Sequence, residues 1–194
     1  ILLKLLADQL SYPLSKMFNV FLHFGIPAEW KLAHVVPVYK GKGSPSDPNS
    51  YRPISLTSSF SKAMESCIKQ RLLDFLVTSQ VISVHQHGFL PNRSTLTGLL
   101  ECYNEWVRNH DRGLVTDVVY FDLAKAFDSV VHTKLVHKCA GYGITGPMLV
   151  YIEDFLSNRF QRVLVGEASS GWSSVLSGVP QGSVRGPRVF LSQN

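Results

Sequence analysis

Val118-Val119-Tyr120-Phe121-Asp122-Leu123-Ala124-Lys125-Ala126-Phe127-Asp128 joins a run of strand-forming residues to a carboxylate and then changes to helical spacing. The apolar residues before Asp122 predict a buried strand over 114–121. A carboxylate at the carboxyl end of such a strand leaves the core on a rigid backbone and enters a wet cleft, where it can ionise and hold a hard cation through oxygen. The alternative is that Asp122 only caps the following turn. Asp128 does not extend the same site, because six residues of helix rotate it by roughly 240° from Asp122. It reads as a cap or turn residue ahead of the next helix.

Farther along the chain, Ser177-Gly178-Val179-Pro180-Gln181-Gly182-Ser183-Val184-Arg185-Gly186-Pro187 places glycines and prolines around a single Gln. Glycine lets a backbone approach a ligand closely, proline stiffens the approach, and the Gln amide offers both donor and acceptor. By itself the segment is equally an ordinary surface turn.

Together these two segments resemble reverse transcriptases, specifically those of non-LTR (LINE-type) retrotransposons, which carry both strings in this order. Further blocks agree. Trp30 to Gly43 is similar to the family's first fingers strand, and Asn49-Ser50-Tyr51-Arg52-Pro53-Ile54-Ser55-Leu56 to its Asn-x-Tyr-Arg-Pro-Ile-Ser-Leu block. Gln86-His87-Gly88-Phe89, running on to Arg93-Ser94-Thr95, is similar to the segment that precedes its next helix. The blocks cover nearly the whole chain.

The resemblance implies an α+β chain holding part of a right-hand polymerase fold, with helices packed on a small, mainly antiparallel sheet. Residues of about 26–113 would be mainly fingers and about 114–194 partial palm. It implies Asp122 and the backbone carbonyl of Leu123 as ligands of Mg²⁺, with Mn²⁺ as the substitute. Phe127 matches the aromatic gate that crowds a ribose 2′-OH. Gln181 and Gly182 match the loop against the incoming dNTP, and Lys40 and Arg52 match fingers residues that grip its phosphates. Such a set suits phosphoryl transfer, in which positioning and neutralisation of charge dominate. Arg suits a bidentate phosphate grip and Lys a point charge. The implied partners are an RNA template, a DNA primer and dNTP, together with the remaining palm and thumb and an endonuclease domain in the parent element. The family works inside the cell, in cytoplasm and nucleus.

Two departures qualify the expected activity. The family's Asp-Asp hairpin follows the Pro-Gln-Gly loop, and the chain stops at Asn194 before such a string, so the isolated chain is expected not to polymerise. It is then a relic that at most binds nucleic acid, or an inert fragment. Arg185 also stands where the family has Leu, placing a charge where an aliphatic is expected.

Composition agrees with this picture. In 194 residues, 45% hydrophobic and 17% charged, there is enough apolar content for a globular core and too little charge for disorder. The net charge of +5 suits a nucleic-acid partner. Cys67, Cys102 and Cys139 lie far apart in helical contexts and read as reduced core thiols, and the histidines show no ligand pairing with them. The apolar opening is interrupted by Lys4 and Asp8 and is too short to span a bilayer, so no membrane role is expected.

Periodicity predicts helices over 14–24, 58–76, 133–140 and 147–157, and another capped by Ser94 that ends by Gly113. Strands are predicted over 33–40 and 114–121, with a hairpin of 161–165 and 172–176. The stripes Phe60, Met64, Ile68, Leu72, Phe75 and Leu96, Leu99, Leu100, Tyr103, Trp106, Val107 are read as core.

Overall fold

A computed structural model describes residues 5–123 and 126–179. Among these residues, five α-helices accompany a small mixed sheet: α1 (Ala7–Phe24), α2 (Ser59–Thr78), α3 (Thr95–Asp111), α4 (His132–Gly141) and α5 (Gly146–Leu156). The strands are β1 (Leu32–Tyr39), β2 (Tyr51–Leu56), β3 (Phe160–Val165), β4 (Ala168–Ser169) and β5 (Ser173–Ser174).

The core forms where helical stripes meet. On α2, Met64, Ile68, Leu72 and Leu76 recur every fourth residue and are buried with Leu73. They pack in one cluster with Leu135 and Cys139 of α4, Tyr151, Ile152 and Leu156 of α5, and Val179. Phe60 and Phe75, at the margins of the predicted stripe, stay partly exposed.

In the sheet, β1 pairs antiparallel with β2 and parallel with β3, while β3 pairs antiparallel with β4 and β5. The predicted hairpin is present, with β5 returning on β3 through Phe160↔Ser174 and Gln161↔Ser173. A polar clamp fixes the start of β1 to α5. Lys31 Nζ donates to Asp154 Oδ1 at 2.6 Å, and Asp154 Oδ2 accepts from the Ile26 amide at 2.8 Å. Nearby, the buried Arg159 donates to the carbonyls of Phe155 and Trp30. Burial lowers its pKa, and the charge of Glu65 counters that shift.

Three expectations are corrected. Residues 114–121 form no strand, and Val115, Val119, Tyr120 and Phe121 are strongly exposed. Strand propensity orders a backbone only when another strand supplies the ladder, and none does so here among the described residues. On α3, Leu96, Leu99, Leu100, Tyr103 and Val107 are exposed and no residue is buried, because no described element covers that stripe. Of the thiols, only Cys139 is buried, with its pKa pushed up to about 11 by desolvation. Cys67 and Cys102 face outward. No helix among the described residues is long and apolar enough to cross a membrane.

Candidate functional site

The two sequence segments meet in space through Gly178. Its amide donates to the Val130 carbonyl at 2.8 Å, the Val179 amide to the Phe127 carbonyl at 3.0 Å, and Ser177 Oγ to the Asp128 carbonyl at 3.1 Å. His132, the first residue of α4, closes the joint by donating from Nε2 to the Gly178 carbonyl at 2.7 Å. Only glycine suits this position: φ is +82°, and a β-carbon would stand 2.9 Å from both Cα and O of Asp128. The joint forms one wall of a cleft of about 440 Å³ whose floor is the Ala33, Val35, Pro53, Ser55 and Val163 face of the sheet.

Phe127 lies in the turn over 126–129, half-buried against the core and edge-on to Phe89 at 6.4 Å between ring centroids. Phe89 holds a positive φ of 71°, an uncommon conformation for an aromatic residue. Asp128 is a turn residue, as expected, although the residue that precedes α4 is Val131.

Asp122 and Leu123 are exposed and extend from the unpaired segment, so Asp122 does not sit at the end of a buried strand. A carboxylate and a backbone carbonyl are hard oxygen donors of the type Mg²⁺ takes. Among the described residues no group of three or more His, Cys, Asp or Glu side chains is arranged for a metal. The donors thus fit a divalent ion in kind and fall short of it in number.

Lys40 lies just beyond β1, where its amide donates to the Ser50 carbonyl at 2.8 Å and its Nζ to the Asn49 carbonyl at 2.6 Å. Its charge therefore closes its own loop. Arg52 is the register partner of Val38, which puts it on the sheet face opposite the cleft, because side chains alternate along a strand. Among the described residues, no hydrogen bond or ion pair joins Lys40 or Arg52 to Asp122 or Phe127. Gln181 and Gly182 lie outside the described residues.

Sequence reasoning missed two arrangements. One is the His132 latch, whose partner is a backbone carbonyl 46 residues away and leaves no pattern in the chain. The other is a clip in which Glu101 of α3 accepts from His85 Nδ1 and His87 Nε2, each at 2.5 Å, while His87 Nδ1 meets Thr97 Oγ1 at 2.8 Å. These hydrogen bonds, that of His85 foremost, hold the Glu101 carboxyl below its ordinary pKa. The spacing of His85, His87 and one face of α3 was the only available hint.

Comparison with known proteins shows the family. The family described as reverse transcriptase (RNA-dependent DNA polymerase) matches residues 39–192. The chain is 33% identical over 190 residues to "RNA-directed DNA polymerase from mobile element jockey" of Drosophila melanogaster, covering 97% of this chain and 20% of that protein. It is 32% identical over 178 residues to "Probable RNA-directed DNA polymerase from transposon BS" of the same species, covering 91% of this chain and 20% of that protein. The chain therefore spans about a fifth of the length of the curated relatives it matches. The extent of the family match, together with blocks that fold against one another, places the chain in the reverse transcriptase (RNA-dependent DNA polymerase) family.

Proposed function

We propose that this chain is part of the polymerase of a retrotransposon, acting with an RNA template, a DNA primer and dNTP, with fingers over about 26–113 and partial palm over about 114–194. The observation that carries the reading is the docking of Ser177–Val179 on the turn that follows Asp122. Gln181 and Gly182, assigned to the incoming nucleotide, come two and three positions after Val179 in the sequence.

Asp122, through its carboxylate, and Leu123, through its carbonyl, would hold Mg²⁺ or Mn²⁺. When bound, such an ion neutralises triphosphate charge and polarises the phosphorus toward attack by the primer 3′-OH. Arg52, exposed and free of a carboxylate partner among the described residues, is available to phosphate oxygens. Phe127, edge-on to Phe89, would be the ring that crowds a 2′-OH. Further carboxylates, palm and thumb belong to the longer protein that the relatives' lengths suggest.

The test is primer extension on an RNA template by the parent protein. Asp122→Ala abolishes dNTP incorporation, a loss of about a thousandfold or more, while template binding persists. Extension unchanged by that substitution sinks the reading. The number of metal donors around Asp122 favours a second one, in which the chain binds nucleic acid and does not polymerise. Salt-sensitive template binding without extension by the parent protein is its signature.

A further inference from the structure

On the sheet face shared with Arg52, Trp172 lies across the amino-terminal ends of β1 and β3. Its ring stands 5.6 Å from the His34 imidazole at an interplanar angle of 35°, and the Arg162 guanidinium carbon is 4.8 Å from its centroid. His34 and Arg162 are register partners in the parallel ladder, so the three side chains form one stack over two strands. Trp172 keeps 44% of its surface exposed.

A stack of this kind could serve only to hold the β4–β5 segment to the sheet. The charge distribution favours more than that. Arg162 Nε is buried without a hydrogen-bond partner, and no carboxylate pairs with Arg162 or Arg52 among the described residues. The strands β1, β2 and β3 carry Arg52, Arg162 and His34 and contain no Asp or Glu. A cationic surface with an exposed aromatic ring is the pairing that binds unpaired nucleic acid, the ring taking a base and the cations the backbone.

We propose that this face holds an unpaired nucleic-acid strand, with a base stacked on Trp172 and His34 and a phosphate taken by Arg162. The proposal rests on the polymerase reading above and extends it to the course of the template. At ~3.3 Å per strand residue, His34 lies about 20 Å from Lys40. The stack is therefore a contact separate from the residues assigned to the incoming nucleotide.

Binding of a short labelled single-stranded RNA, followed by fluorescence anisotropy against salt, tests it. Trp172→Ala weakens binding by about tenfold, the loss of one base stack, and Trp172→Phe stays within about threefold of the parent. Arg162→Gln flattens the slope of log affinity against log salt by about one. Binding of the same RNA as a blunt duplex is unchanged in Trp172→Ala. Equal single-strand binding by parent and Trp172→Ala overturns the proposal, as does an equal loss on strand and duplex. Primer extension separates the two claims: extension by the parent with indifferent Trp172→Ala binding removes only the platform. Binding lost in Trp172→Ala, with no extension by the parent, removes only the polymerase reading.

Discussion

At φ +82°, Gly178 holds a backbone conformation that a side chain resists, and its neighbour Asp128 leaves no room for a β-carbon. Gly178→Ala is expected to destabilise the chain by about 2 kcal/mol or more, since strain and collision act together. His132→Ala removes one hydrogen bond to the Gly178 carbonyl and costs about 1 kcal/mol. Both act on one joint, so in urea unfolding the double variant loses less than the sum. Strict additivity would show that the two residues act separately. The glycine itself was legible as a close-approach residue. What it approaches was not, because its contacts are backbone atoms of a turn about fifty residues earlier.

Between elements, the loop before α3 is held by the Glu101 clip and by the capping box of Ser94 with Thr97. The capping residue was legible because a side-chain cap is a local signal. The clip has a pH dependence of definite sign. The folded pKa of Glu101 is lowered from 4.5, so the clip's contribution is complete above that value and is lost as pH falls through the folded pKa. Hydrogen exchange at the amides of 84–88 therefore accelerates, relative to the core of α2, only below about pH 4.5. Glu101→Gln removes that relative acceleration; its persistence in the variant would assign it to another group. Segment 114–123 shows the reverse of the capping case, since all its strand character is local and its ladder must come from elsewhere.

At the scale of the molecule, exposed apolar side chains among the described residues include the α3 stripe from Leu96 to Val107 and the segment from Leu114 to Leu123. Monomeric proteins rarely leave contiguous apolar surface of this kind bare. Expressed alone, the 194-residue chain is expected to bind an apolar dye and to self-associate with rising concentration. Replacing Leu99 and Tyr103 by Lys should reduce both effects without lowering helicity. A strictly monomeric chain with no dye binding, by sedimentation and fluorescence, refutes this.

By itself the sequence determined the helices α2 to α5 and the carboxyl-terminal part of α1, the strand β1, the β3–β5 hairpin and membership of the family, while the strand β2 was not read from it. Each rests on side-chain periodicity, caps or ordered motifs, which are properties of neighbouring residues. Tertiary structure decided that 114–121 stays unpaired, that the α3 stripe is bare, and that Cys139 alone of the thiols is buried. It also brought Gly178 onto the Asp128 turn and set Arg52 on the face away from it. Burial and strand pairing need a second surface, and periodicity within one segment carries no record of where that surface lies.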